Sequence, residues 1–173
     1  MQIYEEASKR ALQMIAERLD PHLALCHLTT AAEHASPGTV SSILILDDKG
    51  LLRNAASPKL PADYLQAIDG LKPHADIGTC ASAAATGCVV ITEDFYSDSK
   101  WPELRHLPLA LGFKGAWSMP IKDSEGKVIG TFGTYFTTKR TPTEREVEGV
   151  RILAATVPHI LDEGQTFKQS SQS

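Results

Sequence analysis

Residues 115–136 read GAWSMPIKDSEGKVIGTFGTYF, in which two apolar stretches lie on either side of a polar loop. The stretches, 115–121 and 128–135, are rich in the aliphatic, aromatic and β-branched residues that are common in strands. The loop centres on 123–126, Asp-Ser-Glu-Gly, and these residue types are typical of a tight turn. The pattern therefore predicts a β-hairpin and, with it, an antiparallel sheet.

Upstream of this hairpin the sequence predicts three more strands. Residues 40–46 and 51–56 are aliphatic and are separated by Asp-Asp-Lys-Gly at 47–50, so they predict a second hairpin. Residues 88–92 are again apolar and β-branched, which indicates a further strand.

Helix-forming residues, bounded by proline and glycine, predict helices over 2–19, 22–34, 61–68, 79–86, 103–111 and 143–161. Thr143 is followed three residues later by Glu146, which is the pattern of a capping box at a helix start. Pro158 is expected to kink this last helix or to end its regular part. Helices packed on one antiparallel sheet give an α+β fold class.

The length, 173 residues and 18.7 kDa, suits one compact domain. We divide the chain into N-terminal helices at 1–36, the sheet and its C-terminal helix at 37–163, and a polar tail at 164–173 that is expected to fray.

Charge and hydropathy exclude several classes of function. The net charge is −4 and the 17 Lys and Arg residues are scattered, whereas nucleic-acid binding needs a clustered cationic surface. Apolar runs such as 43–46 are far too short to span a bilayer. Glu5 and Glu6 stand where a secretory signal would be basic and then apolar, so we expect a cytoplasmic protein.

Cys26, Cys80 and Cys88 form no CxxC pair, so we expect reduced thiols and neither a disulfide framework nor a zinc finger. The histidines do not supply a recognisable set of metal ligands, and we expect no metal and no cofactor. They are His22, His27, His34, His74, His106 and His159.

Four blocks of sequence, in order, resemble the GAF family of small-molecule sensor domains. They are GTCASAAATGCVVITED at 78–94, DSKW at 98–101, ALGFKGAWSMPI at 110–121 and DSEGKVIGTFGTYFTTKRTPTERE at 123–146. The resemblance, over about 40–161, implies a central antiparallel sheet with the terminal helices together on one face and a ligand pocket on the other. It also implies a homodimer that pairs through the terminal helices.

The residues themselves allow an anion site at the start of the helix at 79–86. Gly78 permits a close backbone turn, and the first amides of a helix that begins at Thr79 or Cys80 have no partner within the helix. Those amides and the helix dipole favour a small oxyanion or a carboxylate. The alternative is that side-chain caps and water satisfy the same amides.

Two tryptophans are candidate walls of a pocket, as the resemblance suggests. Trp101 precedes Pro102 in a loop, and Trp117 lies in the middle of a predicted strand, where packing in the core is the alternative explanation. Tyr135 on the neighbouring strand could add a hydroxyl group. The candidate ligand-binding residues are Gly78, Thr79, Cys80, Ala81, Trp101, Trp117, Ser118 and Tyr135.

Cys80 also allows an enzymatic interpretation, because a thiol at a helix start can become a nucleophile. It resembles a cysteine of the free methionine-R-sulfoxide reductases, a branch of the family, but residues 115–118 supply no second cysteine. We therefore predict no catalytic residue and no enzyme. Haem-binding members also exist, and His106 could approach a pocket, but haem needs a larger cavity than two tryptophans suggest.

The resemblance thus implies a cytoplasmic sensor or receptor that binds a small molecule, and a small anion such as nitrate is the named candidate because the family includes nitrate receptors. A cyclic nucleotide or an aromatic metabolite stays open as the ligand. The output is expected from a signalling partner, such as a sensor kinase or a cyclic-dinucleotide enzyme. The alternatives are a thiol-dependent reductase and a dimerisation module without a ligand.

Overall fold

The computed structural model describes residues 1–172, with side chains described for 1–162. Its helices are α1 (Gln2–Ala16), α2 (Pro21–Ala35), α3 (Ala62–Ile68), α4 (Thr79–Thr86), α5 (His106–Ala110) and α6 (Glu144–Gln172). Its strands are β1 (Thr39–Leu46), β2 (Leu52–Ala56), β3 (Val90–Thr92), β4 (Gly115–Lys122) and β5 (Val128–Phe136). The α+β fold class and both predicted hairpins are confirmed.

The strands form one antiparallel sheet in the order β2-β1-β5-β4-β3. The register pairs Gly133 of β5 with Ser42 of β1 and with Ser118 of β4, so these three residues form one row across the sheet. Trp117, Thr134 and their cross-strand neighbours form the adjacent row. Successive residues of a strand point to opposite faces, so the two rows face different layers of the molecule.

One face of the sheet is covered by α2 and α6, and α1 packs against these two helices. Tyr4, Leu28, Leu153, Met119 and Phe132 are fully or almost fully buried in this layer. Truncation of one such leucine to alanine costs about 2 to 5 kcal/mol in well-packed cores. The terminal helices therefore form a closely packed layer with the sheet, as the resemblance implied.

Two helices, α2 and α6, begin at residues whose side chains cap the helix. The Asp20 side chain accepts a hydrogen bond from the His22 amide at 2.9 Å and caps α2. At α6 the Glu146 amide donates to Thr143 Oγ1 at 3.1 Å, and the Thr143 amide donates to Glu146 Oε1 at 2.8 Å. The predicted capping box is confirmed.

The sequence-based boundaries differ from the structure at α5 and at the C-terminal end of α6. The predicted helix at 103–111 is shorter, because residues up to Arg105 form turns in which the Arg105 amide donates to the Trp101 carbonyl at 2.9 Å. Pro108 then lies in the first turn of α5, where its missing N–H costs no helical hydrogen bond.

Helix α6 continues through Pro158 instead of ending there. The helix was predicted to end at 161, whereas the backbone of α6 is helical to Gln172 and includes most of the expected polar tail at 164–173. The side chains of this tail lie outside the described residues. No helix in the described part of the chain combines the length and the apolar character needed to cross a membrane.

Candidate functional site

A small cavity of about 30 Å³ lies between α4 and the sheet face that is opposite the terminal helices. Helix α3 and the segment before α5 contribute its other walls. Its lining comprises Leu44, Tyr64, Ile68, Leu71, Gly78, Thr79, Cys80, Ala81, Trp101, Leu104, Ala116, Trp117, Gly133, Thr134 and Tyr135. No charged side chain is among these lining residues.

Helix α4 begins at the edge of this cavity. Gly78 is its N-cap, with φ 68° and ψ 172°, and no side chain caps the helix. A positive φ of this kind favours glycine, because a side chain would be strained there. No backbone hydrogen bond outside the helices uses the amides of Thr79, Cys80 or Ala81 in the described part of the chain. These amides are therefore free to face a ligand.

The close approach of α4 to the sheet depends on glycine at position 133. A Cβ atom on Gly133 would lie 2.9 Å from Cys80 Sγ, closer than real contacts allow. Because Gly133 has no side chain, the Cys80 side chain can occupy this space. The first turn of α4 can then lie directly on β4 and β5.

Trp101 connects the loop after β3 to the start of α4. Its side chain is 6% exposed, and its Nε1–H donates to Thr79 Oγ1 at 2.9 Å. Thr79 Oγ1 also lies 2.8 Å from Thr92 Oγ1, and the Gly78 amide donates to the Lys100 carbonyl at 2.8 Å. The indole therefore closes the cavity and is fixed to α4 by a buried hydrogen bond.

Two tyrosines in the lining of the cavity contact each other. The hydroxyl oxygens of Tyr64 and Tyr135 lie 2.7 Å apart, and their rings pack edge to face with centroids 5.9 Å apart. Burial raises the pKa of both hydroxyls, so both stay protonated at any ordinary pH. This pair joins α3 to β5.

Cys80 lies on the floor of the cavity. Burial raises the pKa of its thiol, although a hydrogen bond donated by Ser118 Oγ to Cys80 Sγ at 3.3 Å opposes that shift. The thiol therefore stays neutral, which disfavours nucleophilic chemistry. Neither Cys26 nor Cys88 lines the cavity.

The structure brings together most of the residues that the sequence predicted for the site. Seven of them line the cavity, and Ser118 does not, because it lies behind Cys80 as its hydrogen-bond donor. Trp117 borders the cavity, but its side chain belongs to the core cluster with the terminal helices. The residues are Gly78, Thr79, Cys80, Ala81, Trp101, Trp117 and Tyr135.

The sequence interpretation missed Tyr64, together with apolar lining residues such as Ile68 and Leu104. Tyr64 and Ile68 are four residues apart in the predicted helix 61–68, and this spacing was the available indication of a buried face. His106 is exposed and does not line the cavity. Among the described residues no group of three or more potential ligands is placed to hold a metal ion.

The fold and the cavity define the class: an α+β domain that encloses a small cavity between a short helix and an antiparallel sheet. The chain belongs to the GAF domain family, whose family model matches residues 22–162. A relative from Methanosarcina acetivorans, the methyl sulfide methyltransferase-associated sensor, is 33% identical over 146 residues. The match covers 84% of this chain and only 15% of that relative. Together these similarities support a signalling sensor as the general role.

Several solved structures show the same fold. The GAF domain of a Coxiella burnetii phosphoenolpyruvate-protein phosphotransferase superposes with a TM-score of 0.75 at 16% identity, over 95% of this chain and 96% of that one. The free methionine-R-sulfoxide reductase of Neisseria meningitidis gives 0.71 at 16% identity, over 94% and 90%. A domain of a putative sensor histidine kinase from Sinorhizobium meliloti gives 0.66 at 20% identity, over 84% and 92%. At these identities the likeness concerns the fold alone.

Proposed function

We propose that this GAF domain is a receptor for a small anion, with nitrate as the named candidate, and that the anion binds in the cavity at the start of α4. The observation that carries the proposal is the uncapped start of α4 at a cavity whose lining has no carboxylate. Amides and the helix dipole supply positive potential there without a cationic side chain. An anion is the ligand class that this arrangement favours.

The size of the cavity narrows the ligand class further. Pockets for drug-sized molecules occupy about 300 to 1,000 Å³, and the cavity here is about 30 Å³. A cyclic nucleotide or an aromatic metabolite would have to displace several lining side chains. A planar ion of a few heavy atoms needs much less rearrangement.

A thiol-dependent reductase has less support from the geometry. The buried thiol of Cys80 is neutral, and no second cysteine lines the cavity to form a disulfide with it. Turnover of free methionine sulfoxide with a thiol reductant is the direct test. Turnover that disappears in Cys80→Ala would replace the receptor proposal with the enzymatic one.

The output of the receptor is proposed to pass to a partner or effector domain, such as a sensor kinase or a cyclic-dinucleotide enzyme, in the cytoplasm. We also propose a homodimer that pairs through the terminal helices. The apolar stripe of α1 is largely covered within the chain, but Leu19 before α2 and Leu23 in its first turn remain 37% and 51% exposed. These two side chains are the apolar surface that a second copy would cover.

Calorimetric titration with sodium nitrate, nitrite and formate, against chloride at equal ionic strength, tests the anion proposal. A matched pair of variants then tests the amides. Thr79→Pro and Thr79→Val both lose the hydroxyl, but only proline loses the N–H, and proline is tolerated at the first helical position. We expect Thr79→Pro to bind nitrate at least about tenfold more weakly than Thr79→Val. Absence of heat with every anion on the wild-type protein would refute the proposal.

A further inference from the structure

The two tyrosine hydroxyls in the cavity have one O–H proton that the hydrogen bond between them does not use. Tyr64 on α3 and Tyr135 on β5 are 4% and 6% exposed, and their hydroxyl oxygens are 2.7 Å apart. Each hydroxyl has one proton, and a hydrogen bond between them uses only one of the two. The second O–H is therefore a donor that points away from the pair.

Among the described residues no group is hydrogen-bonded to that proton. The only hydrogen bond that either hydroxyl makes there is the one to the other tyrosine. The nearby Thr79 Oγ1 already accepts from Trp101 Nε1 and is bonded to Thr92 Oγ1. A buried donor without an acceptor costs about 1 to 3 kcal/mol, so an acceptor in the cavity would be stabilised.

The pair also lies near the start of α4, because Tyr64, Tyr135, Thr79 and Cys80 all line the same cavity. The lining of the cavity thus includes the O–H donor of the pair and the open amides of Thr79 and Cys80. It contains no carboxylate.

We infer that the tyrosine pair donates a hydrogen bond to the ligand, and that an oxygen of a small oxyanion accepts it. This inference rests on the proposed function, because it assumes that the cavity binds a small anion. It makes Tyr64 a binding residue and α3 a wall of the site.

Calorimetric titration of the wild-type protein with nitrate is the first arm of the test, and it sets the reference affinity. Absence of nitrate binding in this arm would refute the proposed function itself.

Removal of the hydroxyls is the second arm. The double variant Tyr64→Phe/Tyr135→Phe should bind nitrate at least about tenfold more weakly than wild type, and the two single variants show which hydroxyl reaches the ligand. Tyr96→Phe is the control, because Tyr96 is 71% exposed and does not line the cavity. Nitrate binding within about twofold of wild type in the double variant would refute the inference. If the double variant does not fold, the single variants Tyr64→Phe and Tyr135→Phe decide, and a nitrate affinity within about twofold of wild type in both would refute the inference.

Discussion

The hydrogen bond between Trp101 and Thr79 is predicted to stabilise the packing of Trp101, a wall of the cavity, against the start of α4. We consider Trp101→Phe, which removes the Nε1–H and keeps an aromatic ring against Phe95, whose centroid lies 4.5 Å from the indole. We pair it with Thr79→Val, which removes the acceptor hydroxyl and keeps the shape of the side chain. The double variant completes a thermodynamic cycle.

The expected magnitudes follow from burial. Trp101 is 6% exposed and Thr79 is 2% exposed, so Thr79→Val leaves a buried N–H without an acceptor, at a cost of about 1 to 3 kcal/mol. In the Trp101→Phe background that N–H is absent, and the same substitution should cost less. The coupling free energy is therefore expected to be about 1 kcal/mol or more. A loss of 1 kcal/mol lowers Tm by roughly 2 to 4 °C in a chain of this size.

Urea denaturation followed by circular dichroism at 222 nm gives the free energies of unfolding for the four proteins. The control cycle combines Thr79→Val with Trp117→Phe, because Trp117 Nε1 has no hydrogen-bond partner among the described residues. That cycle should be additive. If the free energies of unfolding in the Trp101 cycle are also additive within about 0.3 kcal/mol, the argument that this bond stabilises the cavity wall is refuted.

Three further predictions concern other parts of the chain. Cys80→Ser and Cys80→Ala should both keep nitrate binding within a few-fold in calorimetry, because both retain the amide; loss in both variants would point to thiol chemistry or metal ligation. Light scattering at tens of micromolar protein should give twice the 18.7 kDa of the chain, and a monomer mass would remove the proposed dimer. Burial would raise the pKa of Glu146, but hydrogen bonds from Arg140 and the Thr143 amide lower it to about 2. The folded-state pKa is thus below the usual 4.5, so this group stabilises the fold above pH 4.5 and the contribution disappears as pH falls through about 2. The difference in stability between wild type and Arg140→Gln should therefore shrink from pH 6 to pH 2, and a difference that is constant with pH would contradict this account.

Local patterns predicted the strands and most helices because the determinants are local. The turn at 123–126 and the capping box of Thr143 and Glu146 depend on residues within a few positions of one another. Helix α5 was predicted too long because the turn after Trp101 is held by its own backbone bonds, which composition does not reveal. Amino-acid composition and spacing are thus sufficient to predict which helices and strands form, but less sufficient to predict where they end.

The site was harder to predict because its contacts join distant residues. The hydroxyls of Tyr64 and Tyr135 meet across 71 positions of sequence, and no motif relates them. Trp117 and Ser118 were both assigned to the pocket, yet adjacent residues of a strand point to opposite faces. In the structure Ser118 contacts Cys80 on the cavity side, and the Trp117 side chain packs with the terminal helices.

The two faces of β5 explain how one strand can connect the cavity with the terminal helices. Tyr135 lines the cavity, while Phe132 and Phe136 on the opposite face are buried in the core with α1, α2 and α6. All residues from Thr131 to Phe136 are buried, and interiors of this density transmit displacements instead of absorbing them. A ligand that moves the Tyr135 hydroxyl therefore acts on a strand whose other face packs against the terminal helices, where a partner or second copy is proposed to bind.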